Sequence, residues 1–115
     1  TVEVMKNLNR PDIPFSFNTV IGTVATDAEL DREQSNKLAQ MAQSGLARAI
    51  RPAHTMRDGD TMFAVSTGKG KKIDIDLLGS VAADLAVAAI LRAVAQAESL
   101  AGVPAIKDLN PERHN

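Results

Sequence analysis

The sequence predicts an α/β fold in strand, helix, strand, helix order, and three observations carry that prediction. Two short runs, residues 19–26 (TVIGTVAT) and 61–67 (TMFAVST), are rich in β-branched and apolar residues. Each is followed by a longer segment whose apolar residues fit a helix. Pro52, the Asp58-Gly59-Asp60 loop and the Gly68 to Lys72 cluster separate the later segments, and no internal repeat is present.

Residues 1–18 read as a lead-in. Val2 and Val4 fit a short edge strand, whereas residues 7–14 carry turn chemistry with Pro11 and Pro14. Residues 19–26 are apolar on both faces, as in a strand covered on both sides of a sheet. Gly22 within that run marks a close approach by another backbone. Asp31 is placed to cap the first helix, with Gln34 three residues on completing a capping box and Leu30 as a staple. Leu38, Met41, Ala42, Leu46 and Ile50 then recur at helical spacing, and Pro52 stops the helix near Ile50. The second helix starts at Asp74 or Asp76 and is expected to reach about Ala101, where Gly102 and Pro104 end it. Between Val81 and Ala95 it is apolar nearly all round, so it needs packing on several sides. Gly79, Ser80, Asp84 and Arg92 interrupt the run of about 20 apolar residues that a membrane span needs.

The bulk composition narrows the function classes. A chain of 115 residues holds one domain, and 44% apolar with 23% charged residues is ordinary for a soluble protein. A formal charge of −1 gives no reason to expect nucleic acid or an anionic membrane as partner. With no cysteine there is neither a thiol nucleophile nor a disulfide framework. Aromatic residues are only 3%, all Phe, and the first residue is Thr1. Together with two central strands and one nearly all-apolar helix, these features point to a half-structure that needs its other half. Residues 1–18 contain no apolar core of a signal peptide, and a cytoplasmic location is expected.

Four groups of residues are candidates for chemistry. At Asn18-Thr19, a threonine hydroxyl becomes a useful nucleophile when its own α-amine, with a pKa of about 7.7–8.0, is free to act as base. The chain would create that amine by cutting itself before Thr19; taken alone, an Asn-Thr pair before a strand is more often just a turn entering a sheet. Asp58-Gly59-Asp60 can direct two carboxylates into one site, or can simply turn the chain into the next strand. No further metal ligand stands nearby except His54, so no metal is assigned. His54 itself is either a general base or a structural loop residue. The run from Gly68 to Lys72 (GKGKK) lacks the spacing of a phosphate-binding loop and reads as a solvated basic turn.

Three segments taken in order carry a resemblance: NTVIGTVATDA at residues 18–28, GLARAIRPAHT at 45–55, and DGDTMFA at 58–64. Over residues 18 to about 101, the chain resembles the family of L-aminopeptidase/D-amino-acid esterases. That family also contains β-peptidyl aminopeptidases and the endo-type 6-aminohexanoate-oligomer hydrolase, or nylon hydrolase.

The resemblance implies a precursor that cleaves itself before a Ser or Thr. Its larger N-terminal α piece and smaller C-terminal β piece stay together in a four-layer α/β/β/α sandwich of the N-terminal-nucleophile-hydrolase type. Here the matching bond is Asn18–Thr19 and the nucleophile is Thr19. Residues 1–18 are then the end of the α piece or a linker, and residues 19–115 the β subunit. Asp58 and Asp60 match the acidic pair of the nylon-hydrolase branch, and the separation between Thr19 and Asp58 suits that branch. In aminopeptidase members a hydroxyl residue is usual at the position of Asp58. The pair is expected to hold the Thr19 amine and hydroxyl in line and to raise the amine's basicity. By the same resemblance one oxyanion donor is an Asn of the α piece. No cofactor is implied, and the expected partners are the α piece, further copies of the αβ unit, and a small amide, a short peptide or a linear amide oligomer. The alternatives are a β-peptidyl or L-aminopeptidase, a pantetheine-type amidase, and a non-catalytic assembly module. An acyl transferase of the ornithine acetyltransferase type has a different local motif. Thr1 as a mature nucleophile is a further alternative, but it lacks the family strand.

Overall fold

The computed structural model describes residues 18–109. The edge strand expected at Val2 and Val4, the turn over residues 7–14 and the alternative nucleophile Thr1 lie outside the described residues. The observed order is β1 (Ile21–Thr26), α1 (Arg32–Ala49), β2 (Thr61–Ser66), α2 (Ile75–Gln96) and a short α3 (Ile106–Leu109). β1 and β2 pair in parallel, with Ile21 opposite Thr61 and Thr26 opposite Ser66. Two parallel strands cannot be joined by a tight turn, and α1 supplies the crossover.

The start of α1 follows its local chemistry. The Asp31 carboxylate accepts the Gln34 N–H at 2.7 Å, and the Gln34 side-chain oxygen accepts the Asp31 N–H at 3.0 Å. The staple does not form, because the position that would meet Leu30 is Ser35, whose Oγ donates to the Asp31 carbonyl at 2.8 Å. Leu30 instead packs against the core of Leu38, Ala42 and Ala82, together with Val24, Met62, Ala64, Ile75 and Leu78. α1 ends at Ala49 with Ile50 as its cap.

α1 and α2 approach closely through small residues. Gly79, Ala82, Ala83 and Ala86 are the buried positions of α2. At Gly45 of α1 a Cβ would run into the Ala83 carbonyl and come within 2.9 Å of the Ala86 Cβ. Asp74 caps α2 by accepting the Leu77 N–H at 2.9 Å. The helix stops at Gln96, five residues short of the expected end near Ala101. Ala97 turns the chain extended, and Ala101 and Gly102 both adopt positive φ between the paired Leu100 and Val103. That is the geometry of a two-residue hairpin turn. Gly102 therefore serves a turn rather than a helix end, and the Ser99 hydroxyl, which accepts the Ala105 N–H at 2.8 Å, helps hold it.

Two apolar surfaces have no cover within the described residues. Gly22, Val24 and Thr26 of β1 are half-buried toward the helices, whereas Ile21, Thr23 and Ala25 alternate to the open side. Phe63 and Val65 of β2 do the same, with Ile21 70% and Phe63 53% exposed. The sequence expectation of a strand covered on both faces is thus met on one face only. The second face has the composition for burial but no layer against it. α2 likewise buries only its small-residue strip and leaves Leu77, Val81, Leu85 and Leu91 exposed. By length and composition α2 is apolar enough to cross a membrane. Its buried strip lies on α1, and Asp84 pairs with Arg48 of that helix at 2.8 Å.

What approaches the side-chain position of Gly22 is a side chain and not the expected backbone. A Cβ there would meet the Met62 thioether, so the glycine makes room for a core side chain.

Candidate active site at the head of the parallel strands

The expected strand over residues 19–26 is interrupted at its start, and the interruption builds the site. Asn18 bridges Asp58 in parallel, in the same register as Ile21 and Thr61. Between these pairs Thr19 lies opposite Gly59, and Val20 opposite Asp60. In a regular parallel ladder the Val20 N–H would go to the Gly59 carbonyl. It goes instead to the Asp60 carboxylate at 3.0 Å, while the Gly59 carbonyl accepts the Thr61 hydroxyl at 3.3 Å. The ladder resumes where the Thr61 N–H donates to the Val20 carbonyl at 2.9 Å.

Asn18-Thr19-Val20 is therefore laid alongside Asp58-Gly59-Asp60, residue against residue. The Gly59 N–H donates to the Asn18 carbonyl at 2.9 Å. This is the carbonyl that a Thr19 hydroxyl would attack in a self-cleavage. Thr19 is exposed, and its Oγ lies 2.8 Å from where a Cβ on residue 59 would sit.

The two aspartates differ in environment. The Asp60 side chain is only 6% exposed, with one oxygen on the Val20 N–H and the other 3.6 Å from His54 Nδ1. That separation is too long for a hydrogen bond but close enough for electrostatic attraction when the ring is protonated. Asp58 closes its own loop: its carboxylate accepts the Thr55 N–H at 2.8 Å, and its N–H donates to the Thr55 carbonyl at 3.2 Å. The backbone N–H of Thr55, then its side chain, hold the Asp58 carboxyl below the ordinary aspartate range. Burial opposes this, and the nearby His54 ring adds a smaller lowering when protonated. Among the described residues neither carboxylate makes a hydrogen bond to the Thr19 hydroxyl. Each carboxylate is instead held by a backbone N–H, that of Thr55 for Asp58 and that of Val20 for Asp60.

His54 sits at positive φ, and its Nδ1 meets the Gln43 amide of α1 at 3.3 Å. This ring nitrogen meets Gln43 and lies near Asp60 without a hydrogen bond to it, which makes His54 a neighbour of the acidic pair. Sequence inspection did not foresee the Gly59 N–H on the Asn18 carbonyl. The available signal was the glycine itself, flanked by two aspartates and aligned with a threonine one strand away.

The basic run from Gly68 to Lys72 folds back onto the loop after β1. The Gly70 N–H donates to the Asp27 carbonyl at 2.6 Å, the Glu29 N–H to the Lys71 carbonyl at 3.1 Å, and Lys72 lies 4.0 Å from Glu29. Among the described residues no group of three or more His, Asp or Glu is placed to hold a metal ion.

Comparison with known proteins adds an independent line. The chain is 44% identical over 103 residues to an uncharacterized aminopeptidase of Mycobacterium leprae, covering 77% of this chain and 28% of the relative. It is 38% identical over 109 residues to an uncharacterized aminopeptidase of Mycobacterium tuberculosis, covering 83% and 32%. It is 30% identical over 95 residues to a 6-aminohexanoate-oligomer endohydrolase of a Kocuria species, covering 72% and 27%. The chain thus spans less than a third of each of these relatives. The model of peptidase family S58 matches residues 1–107, and the chain belongs to that family.

Proposed function

We infer that this chain carries the nucleophile of a self-cleaving threonine amidohydrolase, with Asn18–Thr19 as the bond that is cut. The observation that supports this most directly is the register at the head of the strands. It sets the Thr19 hydroxyl against Gly59, between two aspartates, with the preceding carbonyl already hydrogen-bonded.

In the uncut chain the Thr19 nitrogen is an amide and has no basicity. Self-cleavage proceeds by addition of Thr19 Oγ to the Asn18 carbonyl carbon. The C–N bond to Thr19 then breaks, the hydroxyl proton ends on the departing nitrogen, and an ester remains. Water hydrolyses the ester and leaves an Asn18 carboxylate and a free Thr19 amine. That amine, with a reference pKa of about 7.7–8.0, then takes the hydroxyl proton when Thr19 attacks a substrate amide. The substrate's amine leaves with the proton, and a second water releases the acid. Asp58, held ionised by Thr55, and the buried Asp60 place negative charge beside the new amine and raise its basicity. No cofactor takes part in these steps.

The substrate class is small amides, short peptides or linear amide oligomers. The aspartate at Asp58 and the endohydrolase relative favour oligomers of the 6-aminohexanoate kind. The higher identity to the relatives named aminopeptidases favours an aminopeptidase as the second reading. The open face of β1 and β2 and the exposed flank of α2 fit the inner surfaces of an α/β/β/α sandwich. On this account an N-terminal α piece covers them, and αβ units associate further. Burying one exposed Leu or Phe contributes about 1.5–3 kcal/mol, so a handful of such residues suffices to hold the pieces together. We place the protein in the cytoplasm, with neither nucleic acid nor membrane as partner.

The test is release of amine from an aminoacyl p-nitroanilide and from a 6-aminohexanoate oligomer by the full-length protein, beside its Thr19→Ala version. Turnover of either substrate, lost with Thr19→Ala, is expected, and the preferred substrate selects the branch. Equal turnover by both versions would remove Thr19 from the mechanism.

A further inference from the structure

We propose that the backbone N–H of Gly59 is an oxyanion donor in the self-cleavage, and that residue 59 is glycine because the nucleophile occupies its side-chain space. The proposal rests on Thr19 being the nucleophile, as inferred above.

The Gly59 N–H already donates to the Asn18 carbonyl at 2.9 Å. As Thr19 Oγ adds to that carbonyl carbon, the C=O π pair moves onto the oxygen. The charge develops on an atom whose donor is in place and needs no reorientation. The donor is fixed on both sides. Before it, Asp58 is tied to Thr55 by its N–H at 3.2 Å and its carboxylate at 2.8 Å. After it, Asp60 holds the Val20 N–H at 3.0 Å and Thr61 holds the Val20 carbonyl at 2.9 Å. Neither clamp depends on the scissile carbonyl, so the N–H stays aimed while the carbonyl carbon becomes tetrahedral.

The missing side chain is the second half of the same device. With Thr19 Oγ 2.8 Å from a Cβ position on residue 59, any larger residue would push the hydroxyl off this face of the strand pair. The same Gly59 thus lends its N–H to the electrophile and its empty side-chain position to the nucleophile. The bland alternative is that this bond is one rung of the ladder, with no part in the chemistry.

An amide-to-ester exchange separates the two. Cell-free synthesis of the full-length protein with glycolic acid at position 59 replaces the N–H by an ester oxygen and adds no side chain. The control carries the α-hydroxy analogue of threonine at position 61, which removes the next rung, to the Val20 carbonyl, and leaves the scissile carbonyl alone. Cleavage is followed by intact mass over time, and folding by circular dichroism. We expect the ester at 59 to slow cleavage about 100-fold, as loss of one oxyanion donor does, and the ester at 61 to change it only a few-fold. Equal rates for the two esters would overturn the proposal. Gly59→Ala keeps the N–H and displaces the hydroxyl; it is expected to cost up to about 100-fold through misplacement, and cleavage at the native rate would overturn the second half. Should the ester at 59 fail to fold, a through-hydrogen-bond NMR coupling between the Gly59 nitrogen and the Asn18 carbonyl carbon is measured in the uncut Thr19→Ala protein, where its presence supports the donor's placement and its absence overturns the donor. If the unmodified protein never cuts at Asn18–Thr19, the Thr19 nucleophile fails. If it cuts and the two esters behave alike, only the Gly59 role fails.

Discussion

Thr19 fills the space that a side chain on residue 59 would need: its Oγ lies 2.8 Å from the position of a Cβ on Gly59. This contact has a consequence for stability that is separate from any chemistry. Both residues are exposed and the atom in the way is the end of a side chain, so Gly59→Ala is expected to cost no more than about 1 kcal/mol. In a Thr19→Gly background the same change should cost less still, because the obstructing hydroxyl is gone. Urea unfolding of the four combinations measures the coupling.

Asp60 replaces a missing ladder acceptor for the half-buried Val20 N–H. Asp60→Ala leaves that donor without its partner and is expected to cost about 1–3 kcal/mol. Asp60→Asn keeps an acceptor oxygen in the same place and should recover most of the stability while losing the charge. On the mechanism proposed above, Asp60→Asn still slows amide hydrolysis, so stability and activity part company in this one variant. Thermal unfolding and substrate turnover, measured on the same samples, check both statements.

The capping box and the interhelical ion pair make a contrasting test. Asp31→Ala removes the 2.7 Å bond that its carboxylate accepts from the Gln34 N–H and leaves the reciprocal 3.0 Å bond from the Asp31 backbone N–H, so a loss of about 1 kcal/mol is expected, with little dependence on salt. Arg48 and Asp84 are both well exposed, so Arg48→Ala should cost less than about 1 kcal/mol and less still at high salt. Chemical unfolding at low and high ionic strength distinguishes them. Neither change should alter cleavage at Asn18–Thr19.

Asp58 gives a pH signature. Its carboxyl is held below the ordinary aspartate range by the Thr55 N–H and side chain. A lowered folded-state value means that the stabilisation is fully present above the unfolded value, about 3.9, and fades as pH falls through the folded value. The advantage of the native protein over Asp58→Asn should therefore be constant above about pH 5 and shrink below about pH 4. Unfolding curves taken from about pH 7 down to about pH 3 test the sign.

The sequence made some of these elements readable and hid others for physical reasons. The α1 start was legible because Asp31 and Gln34 state a complete local hydrogen-bonding arrangement. The α2 end was not. Ala97, Glu98 and Ser99 are unremarkable in a helix, and only the turn at Ala101-Gly102, closed by Leu100 and Val103, draws the chain away. The apolar faces were visible as composition, but coverage depends on what packs there, and within residues 18–109 nothing does. At the site, Thr19, Asp58 and Asp60 were singled out from the motif. Their alignment rests on a strand register that links residues 40 apart, which local patterns do not encode. The role of Gly59 emerges only from that register.

The central claim is that Thr19 cuts the chain before itself. The most direct measurement is the intact mass of the full-length protein after expression, beside its Thr19→Ala version. The account predicts a C-terminal fragment beginning at Thr19 in the native protein and no such fragment with Thr19→Ala. A native protein that stays whole while folded and assembled, or a fragment of the same mass change in both versions, would contradict it.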